Sequence, residues 1–298
     1  MTRRTALGLM AAALGRAAAR LPANQNVKWG LGSNLWNSFP GTTFLDILDV
    51  MRDTGFIGLR LTQFPQILKT YNITARQMQD EASKRGCQIV TISFNGPAQD
   101  PARRAEMLTS ARAAMEFLKE FGAKHLVVFS PNRQNGAPPG AFQAMCEGFN
   151  ELGRVAGEMG FRAGLHNHIG QMVQTPEEVD RCMKMTDPKL FYFSPDTAHL
   201  HLAGCEVAKT LERYRDRLML ADYKDAKRPA SQGDTFDRNT IFDLGGGDID
   251  FPACHRVLKA AHFQGWLIVD LDIAREGPRK SYERSGQYVV DKLESIYV

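Results

Sequence analysis

Two short apolar runs that stop abruptly in polar side chains, with an amphipathic segment between them, constrain this chain more than any other feature. They lie in residues 163–201, AGLHNHIGQMVQTPEEVDRCMKMTDPKLFYFSPDTAHLH. The first run ends in His166, Asn167 and His168, and the second in Asp196 and His199. The segment 175–185 reads as a helix. Thr175 is its N-cap, Pro176 opens the first turn, and Glu177 and Glu178 sit at the positive end of the helix dipole. Strand, helix and strand in this order belong to a parallel α/β fold, which places its chemistry at the C-terminal strand ends.

The same alternation extends from residue 27 to the C-terminus. Strands are expected over 27–32, 58–62, 88–94, 125–129, 162–165, 190–194, 218–223 and 266–271. Helices are expected over 44–54, 75–85, 103–121, 142–159, 175–185, 207–214, 252–261 and 281–297, several stopped by a glycine such as Gly55, Gly86 or Gly160. Loops rich in Pro, Gly and Asn, or simply long, fall at 132–140 and 227–248. Eight strand–helix units without a composition break predict one (β/α)8 TIM barrel over residues 24–298. An open doubly wound sheet would need a glycine-rich phosphate turn after the first strand, and GLGSNLW is no GxGxxG.

Composition narrows the function classes. A net charge of +4 over 298 residues, with no clustered basic stripe beyond the N-terminus, does not imply nucleic acid. Five dispersed cysteines without a CxxC pair argue against a disulfide framework or a zinc–thiolate site. No apolar run is long enough to span a membrane. Residues 1–23 read as an export signal, with Arg3 and Arg4, an apolar run over 6–15, and then Arg16 and three alanines. The paired arginines suggest the twin-arginine route and a periplasmic or exported protein; a transit peptide or a frayed terminus is the alternative.

The strand tips carry the chemistry. His166, Asp196, Asp222 and Asp270 stand at comparable places on four consecutive strands, a set suited to a hard dication such as Mn²⁺, Mg²⁺ or Co²⁺. Three carboxylates around one dication leave negative charge, so a cation is expected nearby, with Lys224 and Arg228 as candidates. The competing possibility is a structural network in which these acids pair with Lys or Arg and bind no metal. His168 and His199 are the expected proton movers, and Lys224 could polarise a leaving oxygen. Trp36 could stack on a sugar ring, and Arg60, Asn95, Asn167 and Arg228 are further expected substrate contacts.

The stretches LHNHIGQMVQT, DTAHL, YKDAKR, GGGDIDF and GWLIVDLD, in this order, resemble the xylose-isomerase-like barrel superfamily of sugar phosphate isomerases and epimerases. The look is nearest to the inosose (2-keto-myo-inositol) dehydratases, and the match covers roughly residues 27 to 295. The resemblance implies a metal held by Glu, Asp, His and Glu on strands five to eight. Here His166, Asp196, Asp222 and Asp270 stand in those places, so only Asp196 is identical and the imidazole has moved from strand seven to strand five. Arg60 stands where many relatives carry a Glu, which would turn an acid–base position into an anion or carbonyl binder. His199 inherits a contact to substrate oxygen.

The expected function is therefore a metal-dependent enzyme acting on a keto-sugar or keto-inositol by α-proton abstraction. Mn²⁺ is the expected metal, with Mg²⁺, Co²⁺ or Zn²⁺ as alternatives. A lyase outcome by dehydration is favoured over epimerisation or isomerisation, because the missing second-strand Glu removes the paired-Glu arrangement of epimerases. The alternative is a metal-free carbohydrate-binding barrel. The resemblance also allows a homo-oligomer. A metal-dependent apurinic endonuclease would need more His and Glu ligands and a basic DNA face, and neither is visible.

Overall fold

Local signals fix the first βα unit. The Thr43 hydroxyl accepts the Asp46 N–H while the Asp46 carboxylate accepts that of Thr43, a capping box that starts α1 (Phe44–Thr54). Gly55 ends the helix in the left-handed region at φ +86°, where a side chain would be strained. Thr175 and Glu178 form the same box at the head of α6 (Pro176–Met185), with Pro176 at the first helical position, as the sequence predicts.

The computed structural model describes residue 21, residues 26–133 and 138–229, residue 233, and residues 235–298. The expected export segment over 1–23 therefore lies outside the described residues except for Leu21, which is buried. The strands are β1 (Val27–Gly32), β2 (Gly58–Leu61), β3 (Gln88–Phe94), β4 (His125–Phe129), β5 (Arg162–His166), β6 (Phe191–Phe193), β7 (Ala221–Tyr223), β8 (Asp225–Ala226), β9 (Ile241–Phe242) and β10 (Gly265–Val269). The other helices are α2 (Gln66–Thr70), α3 (Ala75–Lys84), α4 (Arg104–Lys119), α5 (Ala141–Glu158), α7 (Thr197–Leu202), α8 (Val207–Arg213), α9 (Phe251–Ala260) and α10 (Pro278–Tyr288).

Eight strands form one parallel sheet in the order β6-β5-β4-β3-β2-β1-β10-β7. Its two edges meet through parallel bridges, Phe193 to Leu218 and Asp196 to Asp222, which bring the sheet round into a (β/α)8 barrel. One apolar cluster fills the space between strands and helices. A second joins Val90 and Val127 to Leu220, Trp266 and Ile268. Those residues come from opposite sides of the sheet, so they touch only through the barrel interior.

Several local expectations change. The strands expected over 190–194 and 218–223 shrink to three residues each, because these two edges touch one another only through the isolated bridges Phe193 to Leu218 and Asp196 to Asp222. The DTAHL turn is the start of helix α7, and a short α2 follows β2. The loop 227–248 carries β9, which pairs antiparallel with β8. The helix expected over 281–297 begins earlier, at Pro278, and passes into a π-helical turn over Val289–Leu293. Among the described residues no helix is long and apolar enough to cross a membrane.

Candidate active site

The C-terminal ends of β5, β6 and β7 bring three expected donors together. His166 ends β5, Asp196 follows β6 as the N-cap of α7, and Asp222 lies in β7. One donor atom from each lies within 4.8 Å of the others, and all three side chains are buried. The His166 ring sits between the two acids, with Nδ1 3.1 Å from Asp222 Oδ2 and Nε2 3.8 Å from Asp196 Oδ2. The Asp196 carboxylate is divided in use. Its Oδ1 accepts the Ala198 and His199 N–H groups, which fixes its orientation and leaves Oδ2 directed at the site.

Asp270, the fourth expected ligand, is not in that group. Its carboxylate is held by Arg60 Nη2 at 2.8 Å and Lys224 Nζ at 2.6 Å. Arg60 is likewise not an open anion binder, because its Nη1 lies 3.1 Å from Asp222 Oδ2 and donates to Ser93 Oγ at 3.3 Å. Lys224 also reaches Asp196 and Asp272, at 3.1 and 2.9 Å. Two buried cations thus stand among four buried carboxylates, Asp196, Asp222, Asp270 and Asp272. Two negative charges remain uncompensated when all are ionised.

The titration behaviour follows from that imbalance. Burial, opposed by Arg60, raises Asp222 to about 7, and burial also raises Asp196. Burial works against Asp270 too, but Arg60 and Lys224 outweigh it and hold that carboxyl well below the usual range. Lys224 remains firmly protonated because three carboxylates outweigh its desolvation. Burial brings His166 down to about 3 and His168 to about 4, and pushes His199 well below its ordinary value, so all three are neutral near pH 7.

The donor set fits a dication. His166 Nδ1 and Asp222 Oδ1 are buried with no hydrogen-bond partner, and Asp196 Oδ2 and Asp222 Oδ2 are met only by the ion pairs to Lys224 and Arg60, an arrangement that is costly unless another ligand meets the open positions. One neutral imidazole nitrogen and two carboxylates are donors that such an ion accepts, and its charge matches the two uncompensated negatives.

A cavity of about 780 Å³ opens beside these residues and is bordered by Arg60, Asn95, His166, His168, Lys224 and Asp270, among others. His168 is half-buried at its wall, with Nδ1 2.7 Å from the Ile169 carbonyl. A carbonyl only accepts, so Nδ1 carries the proton and Nε2 of the neutral ring is a bare acceptor. His199 lies fully buried behind it, with ring centroids 3.7 Å apart.

Three expected substrate contacts do not border the cavity. Trp36 is buried and stacks on Tyr282 at 5.3 Å, because the turn after β1 folds its indole under α10. Asn167 faces the neighbouring strand end, where its amide bridges the backbone N–H and carbonyl of Asp196. Arg228 points at the His201 carbonyl, 2.7 and 3.0 Å away, so the cation beside the acids is Arg60 rather than Arg228.

Further residues join the site; of these, Asp272 and Gln63 are polar strand endings in the sequence, and the others are not. Phe129 ends β4 with its ring 4.2 Å from that of His166, and its position as the last apolar residue of the strand was the available signal. Asp272, two residues beyond Asp270, binds Lys224 and accepts from Asn34 at 2.7 Å. Thr62, Gln63 and Gln66 enter the cavity wall from the loop after β2, whose course no periodicity announces.

A sequence model of the xylose isomerase-like TIM barrel family matches residues 48–290. The inosose dehydratase of Bacillus velezensis is 32% identical over 268 residues, spanning 83% of this chain and 90% of that protein. The inosose dehydratase of Halalkalibacterium halodurans is 28% identical over 301 residues, spanning 91% and 96%. Among solved structures, an IOLI protein with a bound zinc atom superposes with a TM-score of 0.75 at 16% identity, covering 91% of this chain and 99% of its own. The 3-keto-D-glucoside 4-epimerase of E. coli gives 0.71 at 20% identity, covering 89% and 99%. At these identities the two structures speak for the fold alone.

Proposed function

This chain belongs to the xylose isomerase-like TIM barrel family, and from that premise we propose that it is a divalent-metal-dependent enzyme removing a proton next to the carbonyl of a keto-sugar or keto-inositol. The observation that carries this reading is the meeting of His166, Asp196 and Asp222 at one buried point beside a cavity that His166 borders. These three residues would hold a dication, which would supply the Lewis-acid polarisation of a carbonyl oxygen that acidifies the neighbouring C–H. We name Mn²⁺ first, since hard oxygen donors outnumber the single imidazole, and Mg²⁺, Co²⁺ and Zn²⁺ as alternatives.

His168 is our assigned base, because its bare Nε2 belongs to the imidazole that reaches the cavity. His199 backs that ring and is the second candidate. Lys224, charged and on the cavity wall, is committed to Asp196, Asp270 and Asp272, so it contributes positive charge towards an oxygen that accumulates negative charge rather than a proton. Arg60 keeps Asp222 and Asp270 in place. The names of the curated relatives favour loss of water over epimerisation. A sugar-binding barrel without metal is the second reading, favoured by the occupation of Asp270 by Arg60 and Lys224.

Metal analysis of the purified protein, then chelation and add-back, tests the premise. One Mn²⁺ per chain and activity restored by add-back are expected; no bound metal would leave the binding barrel. Incubation with 2-keto-myo-inositol in D₂O then tests the outcome. A dehydrated product is expected, whereas deuterium in recovered substrate without product would overturn dehydration.

A further inference from the structure

The cavity is larger than a single polyol ring requires, and its lining combines charged and aromatic side chains. Its volume of about 780 Å³ lies in the ~300–1,000 Å³ range of sites for drug-sized ligands, several times what one six-membered ring fills. The inner end holds His166, His168, Lys224 and Asp270. The outer end runs between the loop after β2 and helix α4, where Phe64, Pro65, Phe94 and Ala113 form the walls and Gln63 and Gln66 the rim.

The outer walls are built, not incidental. Phe64 is half-buried, and one side of its ring packs on Phe117 of α4 at 4.6 Å, which fixes the ring against the helix. Phe94 is buried at the end of β3, and Ala113 is an exposed small residue on the cavity side of α4. Gln63 holds the left-handed conformation at φ +60°, uncommon for a residue with a side chain. A charged chamber that opens into an aromatic slot matches a ligand with one polar and one flat apolar part.

We propose that the substrate is a keto-sugar ring carrying an aromatic substituent. The ring would occupy the His166–Lys224 end, and the substituent would lie between Phe64, Phe94 and Ala113. This deepens the proposed reaction and rests on it for the identity of the ring. An unsubstituted ring would leave the apolar slot wet, so the substituent adds affinity through burial against fixed aromatic surface.

Binding of phenyl and methyl 3-keto-glucoside to metal-free protein, measured by calorimetry, tests the slot without relying on turnover. The phenyl compound is expected to bind at least ten-fold more tightly. In Ala113→Trp, which fills the slot from an exposed helix position, the difference falls below three-fold. In Phe64→Ser, which removes the platform, it falls likewise. Equal affinities, no binding of either compound, or a preference that survives both substitutions would overturn the proposal. Adding Mn²⁺ separates the two readings: a phenyl preference without chemical conversion of either compound sinks the reaction and leaves the slot. Conversion of both compounds without a preference sinks the slot and leaves the reaction.

Discussion

Asp222 and Asp270 are the same residue type at equivalent strand ends, and their surroundings give them opposite tasks. Asp222 has one oxygen in an ion pair with Arg60 and the other, Oδ1, without any partner beside His166, whereas Asp270 has a cation at each oxygen, the Arg60 guanidinium at Oδ1 and the Lys224 ammonium at Oδ2. Replacing each by Asn should separate them. Asp222→Asn is expected to lower Mn²⁺ affinity by at least ten-fold, since a charged donor is lost from a three-residue set. Asp270→Asn should bind one Mn²⁺ per chain almost as well as the parent, with its cost appearing as lower stability, because Arg60 and Lys224 each lose one of their buried carboxylate partners. Equilibrium dialysis and denaturant titration read the two effects, and equal loss of metal in both variants would contradict the assignment. Gly32 is part of the same packing, because a Cβ there would lie 2.0 Å from Asp270 Oδ1. The acids and the imidazole of the candidate metal set were legible in sequence as polar endings of apolar runs. Their division between the His166 cluster and the two cations was not, since it depends on where Arg60 crosses the barrel.

Elements show the same division between local rule and long-range contact. Asp225 follows Lys224 in sequence yet serves the loop after β9, its carboxylate accepting the N–H groups of Ala226, Gly245, Gly247 and Ile249. The GGGDIDF stretch therefore folds around a buried acid one residue away from Lys224. On α9, His255 is buried, with Nδ1 3.1 Å from the Tyr223 hydroxyl and Nε2 3.2 Å from the Tyr297 carbonyl. Burial holds its pKa down at about 4 from 6.5, against the pull of the Tyr297 carbonyl. The unfolded chain takes up that proton first, so this contribution is complete above pH ~6.5 and is lost as pH falls towards ~4. The loss amounts to roughly 3 kcal/mol. His255→Gln should flatten the fall in unfolding free energy between pH 6.5 and 4, and an unchanged slope would remove His255 from the account. Capping boxes at Thr43 and Thr175 and the stop at Gly55 were readable because caps are local. The shortening of β6 and β7 was not, since it comes from how the two sheet edges meet.

At the scale of the whole molecule, the parallel order and the matching of β6 to β7 bring four strand tips to one mouth. The helices wrap the outside with a continuous apolar layer. Export remains a proposal at this scale, resting on Arg3, Arg4 and the apolar run that follows them. A fusion of residues 1–23 to a reporter that crosses only when folded should reach the periplasm, and Arg3→Lys with Arg4→Lys should retain it in the cytoplasm. Periplasmic signal from the double variant equal to the parent would refute the twin-arginine assignment.

Eight apolar runs, their helical partners and the polar residues that end them are written in the order of the amino acids. Periodicity and capping act over a few residues, so the barrel and its chemical end could be read from the chain alone. Tertiary structure decided which of those polar residues share a site. Burial removes water as a partner, so each acid is claimed by whichever cation, imidazole or N–H the fold places within about 3 Å. Asp270 found Arg60 and Lys224, Asp225 found a loop, Trp36 found Tyr282, and Asp196 and Asp222, each sharing one of the same two cations, met at His166.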